Sequence, residues 1–316
     1  MSNRSETETP RGVPDARNRL NDLTGREWVY FLNSIDLIEG EPDLLSGEFL
    51  NDLPEEQWAA YQSPIIDTFY PTSGEAGYAH HIRKRHPSPK PPQLMKRLIE
   101  FFTKHDGWVF DPFAGVGGTL LGCSMAGRRG VGVELSQSYL DLYQSASETL
   151  NLEPQTVYRG DSRHLEEIFN GEDYHFDLIL TDPPYGDMLS RKRTGERKKK
   201  TGDDSPTPFT DEADDLGNMP AEQFYDALKS VIAQSMKYLN VKGYVLVFCK
   251  DLQPTDEYHN LIHADVVNTL AQIPNLRFRG YKIWYDKSLK LYPFGYPYAY
   301  VSNQLHQFIL IFRKEK

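Results

Sequence analysis

Five short apolar runs, separated by helix-length stretches, constrain this chain more than any other feature: residues 108–110, 130–133, 156–158, 176–181 and 244–248. Runs of this length without polar alternation belong to strands covered on both faces. Helical patterns fill the gaps. Pro91 and Pro92 open one that carries Leu94, Leu98, Ile99 and Phe102 and that Gly107 ends; another closes at Gly127. Ser136 is placed to cap a third, and Pro220 starts one with Phe224, Leu228, Val231 and Ile232 on one face. A helix near 261–270 and strands near 278–284 and 307–312 complete the chain. Strands alternating with helices predict an α/β domain on a doubly wound, mostly parallel sheet.

Four of the strand ends carry chemistry. After the first strand the chain reads Asp111-Pro112-Phe113-Ala114-Gly115-Val116-Gly117-Gly118. Glycines between a strand and a helix let the backbone approach a ligand, and the helix start offers unpaired N–H groups. Such turns also arise from packing alone, but two acids strengthen the ligand reading. Glu134 ends the second strand about 20 residues on, the spacing at which a carboxylate reaches ribose hydroxyls, and Asp161 ends the third. The turn is not the G-x-G-x-x-G of dinucleotide sites, and the acid before it would repel a pyrophosphate. A sulfonium and an ammonium group suit it better, which favours S-adenosylmethionine over NAD.

After the fourth strand comes Leu180-Thr181-Asp182-Pro183-Pro184-Tyr185-Gly186-Asp187. Two prolines cannot continue a ladder, so the sheet stops and an acid and an aromatic are held at its C-terminal edge, where open α/β sheets bind ligands. Asp182 and the carbonyl of Pro183 can accept hydrogen bonds there, and Tyr185 offers a flat aromatic face.

These residues resemble the amino-methyltransferases that modify exocyclic nitrogens of nucleic-acid bases, the N6-adenine and N4-cytosine DNA methyltransferase family. His86-Pro87-Ser88-Pro89-Lys90-Pro91-Pro92 is similar to a family segment that precedes a helix and touches the cofactor's methionine end. The resemblance covers roughly residues 86–316 and implies the class I S-adenosylmethionine-dependent methyltransferase type of sheet. It implies a cofactor pocket lined by His86, Lys90, Phe113, Ala114, Gly115 and Gly117, with Asp111 near the amino group, Glu134 on the ribose and Asp161 on the adenine amine. Asp182, Pro183, Pro184 and Tyr185 become the catalytic tetrapeptide. An exocyclic base amine is a poor nucleophile because its lone pair is delocalised into the ring. The resemblance implies that Asp182 and the Pro183 carbonyl each accept one of its N–H groups and favour the attacking geometry, with Tyr185 stacking the base. The implied partner is double-stranded DNA with its target base flipped out, adenine ahead of cytosine, in DNA methylation of the restriction–modification kind. Two other readings stand beside it: a tRNA guanine-N2 methyltransferase, which shares the acid–Pro–Pro–Tyr–Gly string, and a non-catalytic binder of S-adenosylmethionine or nucleic acid.

Charge bears on the partner. The net charge of −10 opposes a nucleic acid, but residues 191–200 read RKRTGERKKK, seven basic side chains against one acid. Arg191, Lys192, Arg193, Arg197, Lys198, Lys199 and Lys200 follow the strand-end motif directly, which favours a role on the phosphate backbone over the solvated loop that such runs commonly form. They sit in an insertion, 186–219, that turns acidic at Asp211, Glu212, Asp214 and Asp215. Residues 1–16 read as a disordered N-terminus, 17–80 as a small accessory region and 81–316 as the catalytic domain. The polar start is no signal peptide, and no apolar run approaches the roughly 20 residues of a membrane span. Cys123 and Cys249 lie in apolar stretches, as core residues of a reducing cytoplasm do. No histidine spacing suggests a metal, and His80 and His81 read as a solvated pair.

Overall fold

The computed structural model describes residues 13, 16–23, 35–36, 78–186, 210, 215–252, 260–285, 304 and 306–316. The basic run at 191–200, the acidic residues 211–214 and most of 17–80 lie outside the described residues.

Eight strands form one sheet among them: β1 (Ile35–Asp36), β2 (Trp108–Asp111), β3 (Arg129–Glu134), β4 (Thr156–Arg159), β5 (Phe176–Thr181), β6 (Leu239–Cys249), β7 (Leu276–Tyr285) and β8 (His306–Lys314). Their order is β1-β7-β8-β6-β5-β2-β3-β4. Only β8 runs antiparallel to its neighbours, β6 and β7. The chain moves outward from β2 to β4 and then returns to place β5 on the other side of β2. The β2–β5 seam is thus the switch point at which doubly wound sheets open a crevice.

The uniform apolar character of the strands has a simple cause: neighbouring residues serve opposite layers. Phe110 and Ile179 face one layer with Phe169, Phe224, Leu228 and Val266, supplied by helices α5 (Leu165–Phe169), α6 (Ala221–Ser235) and α7 (Ile262–Leu270). Val109, Leu178 and Leu180 face the other, with Leu94, Leu98 and Cys123 from α2 (Pro92–Phe102) and α3 (Gly118–Ala126). Helix α4 (Gln137–Leu150) packs Tyr143 and Ala146 against Leu120 and Leu121 of α3. Both cysteines are free and buried.

Local details depart from the sequence expectations. Helix α2 stops at Phe102, with Thr103 as its cap. A segment from the chain's start ties down that end: Asn21 donates to the Phe101 carbonyl at 2.5 Å, and Asp22 accepts from the His105 N–H at 2.8 Å. Gly107 instead leads into β2, where an added Cβ would fall 2.8 Å from the Lys104 carbonyl oxygen. Ser136 does occupy the N-cap of α4, but its hydroxyl pairs with Ser138 at 2.8 Å rather than with the helix backbone. The short helix α1 (His80–Arg83), like α5, had no readable period at its length. Arg83 is fully buried, and its guanidinium donates to the carbonyls of Val116 and Lys90. No helix among the described residues is long and apolar enough to cross a membrane.

Candidate active site

A cleft opens over the C-terminal ends of β2, β3 and β5. Asp111 ends β2 at its floor. The Asp111 carboxylate accepts from the Thr181 hydroxyl at 2.7 Å and the Phe113 N–H at 3.0 Å, so it knits β5 to the turn. Burial pushes its pKa up to about 6, against the pull of those hydrogen bonds.

The glycines of the turn serve different ends. Gly115, at φ 52, faces the cleft, and a Cβ there would stand 3.4 Å from His86 Nε2. Gly117, at φ 73, caps α3 and lies behind the wall; its Cβ would fall 2.0 Å from the Tyr143 ring. Gly117 is therefore required for packing, whereas Gly115 borders the ligand space with Phe113 and Ala114.

Glu134 ends β3 and holds the same turn from the other side. Its two oxygens accept from the Gly115 N–H at 2.7 Å and the Ser136 N–H at 2.8 Å. Burial raises its pKa to about 7 despite these donors. Asp161 is different. Burial acts to raise its pKa, but the hydrogen bonds from the Arg163 guanidinium and N–H outweigh that and leave it below the ordinary carboxylate value.

His86 meets Tyr139 edge to face, with ring centroids 4.7 Å apart. Burial, with Lys90 and Arg83 nearby, lowers its pKa to about 3. The imidazole is therefore neutral. Its Nδ1 accepts the Ser88 N–H at 3.1 Å, which assigns the proton to Nε2, the edge nearer Gly115.

Asp182 lies across the cleft from these groups, directly after β5. Its Oδ2 pairs with Lys90 Nζ at 2.5 Å, and its Oδ1 accepts from the Tyr185 hydroxyl at 2.6 Å. Pro184 lines the cleft, Pro183 is buried, and the Tyr185 ring packs against the core cluster of Phe110 and Ile179. Of the expected cofactor residues, His86, Lys90, Asp111, Phe113, Ala114, Gly115, Glu134 and Asp161 border the one cleft. The expected nucleic-acid contacts, Arg191, Lys192, Arg193, Arg197, Lys198, Lys199 and Lys200, lie outside the described residues.

Sequence reasoning missed part of the wall. Thr210, Asp215 and Leu216, from the far end of the insertion, also line the cleft. Asp215 is buried and accepts from the Thr210 hydroxyl and the Gly217 N–H, both at 2.7 Å. An acid at the end of an acidic run gave no sign of this; the Asp-x-Gly turn was the available signal. Among the described lining residues five acids, Asp111, Glu134, Asp161, Asp182 and Asp215, face two basic side chains, His86 and Lys90. The donor set suits a cationic ligand rich in hydroxyls and is a poor host for a pyrophosphate.

Comparison with known proteins agrees with this geometry. Residues 34–145 match a family model described as DNA methylase, of the N6/N4 type. The matched span holds His86, the glycine-rich turn and Glu134 and stops short of Asp182. Among curated proteins, the Type II methyltransferase M.MthZI of Methanothermobacter thermautotrophicus is 32% identical over 128 residues, 38% of this chain and 36% of that one. The tRNA (guanine(10)-N2)-dimethyltransferase of Methanocaldococcus jannaschii is 32% identical over 130 residues, 38% of this chain and 35% of its own. The Type II methyltransferase M.ScaI of Streptomyces caespitosus is 36% identical over 76 residues, 24% of each chain. These matches thus span between 24% and 36% of the relatives' lengths. Over residues 34–145 the chain is similar to the N6/N4 DNA methylase family.

Proposed function

We propose that this protein is an S-adenosylmethionine-dependent methyltransferase acting on an exocyclic amine of a nucleic-acid base, N6 of adenine in duplex DNA ahead of N4 of cytosine. The observation that carries the reading is one cleft that has Glu134 and the glycine turn on one side and the Asp182 carboxylate on the other. When bound, S-adenosylmethionine supplies an electrophilic methyl group on its sulfonium. The residues fit it: Glu134 offers ribose hydroxyls an acceptor, Asp111 and Asp161 offer amines one, and neutral His86 supplies an Nε2–H without adding positive charge.

The protein's share of the reaction is alignment. The Asp182 carboxylate accepts one N–H of the target amine, so the nitrogen lone pair turns out of the ring plane toward the methyl carbon. As the N–CH3 bond forms and the S–CH3 bond breaks, with a neutral thioether as the leaving group, the nitrogen would become cationic, and Asp182 would receive the proton it then loses and pass it to solvent. A base inside a duplex cannot reach this depth, so flipping is required. The seven basic side chains of residues 191–200 serve as the contacts to nucleic-acid phosphates. Residues 17–80 act as an accessory region of the catalytic domain.

A second reading places the same chemistry on tRNA guanine N2. The similarity to the Methanocaldococcus tRNA enzyme, equal in identity to that of M.MthZI, favours it. Asp182→Ala tests what the two readings share. Methyl transfer should fall by roughly 100-fold or more, the loss typical of a positioned proton acceptor, while calorimetry shows S-adenosylmethionine binding retained. Near-normal turnover would remove Asp182 from the chemistry, and parallel assays on duplex DNA and on tRNA separate the two substrates.

A further inference from the structure

We infer that Lys90 is a positioning residue for the reacting carboxylate rather than a ligand of the cofactor. The inference rests on the methyltransferase reading above and extends it. Lys90 is separated from Asp182 by 92 positions, yet Lys90 Nζ meets Asp182 Oδ2 at 2.5 Å, with side-chain exposures of 5% and 15%. Buried ammonium groups are rare and need fixed partners. Here the whole side chain is fixed. Lys90 Nζ sits 5.5 Å from the Phe248 ring centre and 5.9 Å from that of Trp284, and it reaches Ser88 Oγ at 3.3 Å. The backbone is fixed as well: the Lys90 carbonyl accepts from buried Arg83, and Gly118 approaches it so closely that a Cβ would stand 2.9 Å from that oxygen.

The consequence falls on Asp182. A carboxylate carries about four lone-pair sites on its two oxygens. Tyr185 occupies one site on Oδ1 and Lys90 one on Oδ2. Two anchors on different oxygens stop the carboxylate rotating, so the remaining lone pairs keep one direction before any base arrives. A lone aspartate would lose that rotational freedom during the reaction, as part of the barrier. The ion pair also sets one positive charge against the Asp182 carboxylate.

Two readouts test this: single-turnover methyl transfer with cofactor and nucleic acid both saturating, and melting temperature. Lys90→Met should slow the saturated rate by about 10- to 100-fold, the scale of a misplaced reacting group, with the dissociation constant for S-adenosylmethionine unchanged. In an Asp182→Asn background the same substitution should cost no further rate. The melting temperature should follow the pair too: Lys90→Met lowers it, and adding Asp182→Asn restores most of the loss, because no charge is then left unpaired. Weaker cofactor binding with an unchanged saturated rate would make Lys90 a cofactor ligand and overturn the inference; so would additive effects in both cycles. If the wild-type protein bound S-adenosylmethionine but methylated neither DNA nor RNA, the methyltransferase reading would fail, and the melting cycle alone would decide the pairing.

Discussion

Glu134 shows how far a single side chain can be predicted and where prediction ends. Its spacing from the turn was legible because a strand, a helix and a second strand have nearly fixed lengths. Its double hydrogen bond to Gly115 and Ser136 was not, because backbone donors carry no residue code. The structure adds a pH dependence. Burial holds the Glu134 pKa near 7 against an ordinary 4.5. Across that window the folded chain keeps a proton that the unfolded chain has released, so Glu134 lowers stability as pH rises through it. Ribose hydroxyls need the ionised carboxylate as acceptor, so cofactor affinity should rise over the same range and level off above about 7. Glu134→Gln should remove this share of both slopes, leaving that of Asp111. It should also weaken binding at pH 8 by about 1–3 kcal/mol, the cost of a lost charged hydrogen bond. Calorimetry at several pH values reads both, and an unchanged dissociation constant would place the nucleoside elsewhere.

Among the elements, the central strands were the most legible and the short ones the least. Strands β2, β3, β5 and β6 each carry a buried apolar run because they feed two layers, and a run of that kind survives without knowledge of its partners. Ile35–Asp36, His80–Arg83 and Leu165–Phe169 are too short to show a period. The antiparallel direction of β8 was also hidden, since strand direction leaves no mark on side-chain alternation. The glycine-rich turn was read correctly as a strand-to-helix junction, but its glycines were not all interchangeable. Gly117→Ala tests the distinction. The new methyl group would meet the Tyr143 ring, and the φ of 73 suits glycine. Strain and overpacking together should cost about 2–4 kcal/mol of stability. Urea denaturation measures it, and a stability within experimental error of wild type would mean that α4 does not press Tyr143 onto this turn.

At the scale of the whole molecule, the fold explains why residues so far apart in sequence work together. Reversal of strand order at β2–β5 puts Asp111 and Asp182 at neighbouring strand ends, and β3 and β4 bring Glu134 and Asp161 to the same edge. Lys90 joins them from the start of α2, and no property of the sequence marks that 92-residue partnership. Under the proposed function, the sheet and the cleft hold both a nucleoside cofactor and an acceptor for a base amine. The most direct test of the account is the position of the transferred methyl group. The wild-type protein is incubated with S-adenosylmethionine carrying a labelled methyl group and with duplex DNA, the DNA is digested to nucleosides, and each labelled nucleoside is identified by mass spectrometry. The account predicts the label on an exocyclic nitrogen, as N6-methyladenine ahead of N4-methylcytosine, and its loss with Asp182→Ala. Label on a ring carbon, a ring nitrogen or the backbone would contradict it.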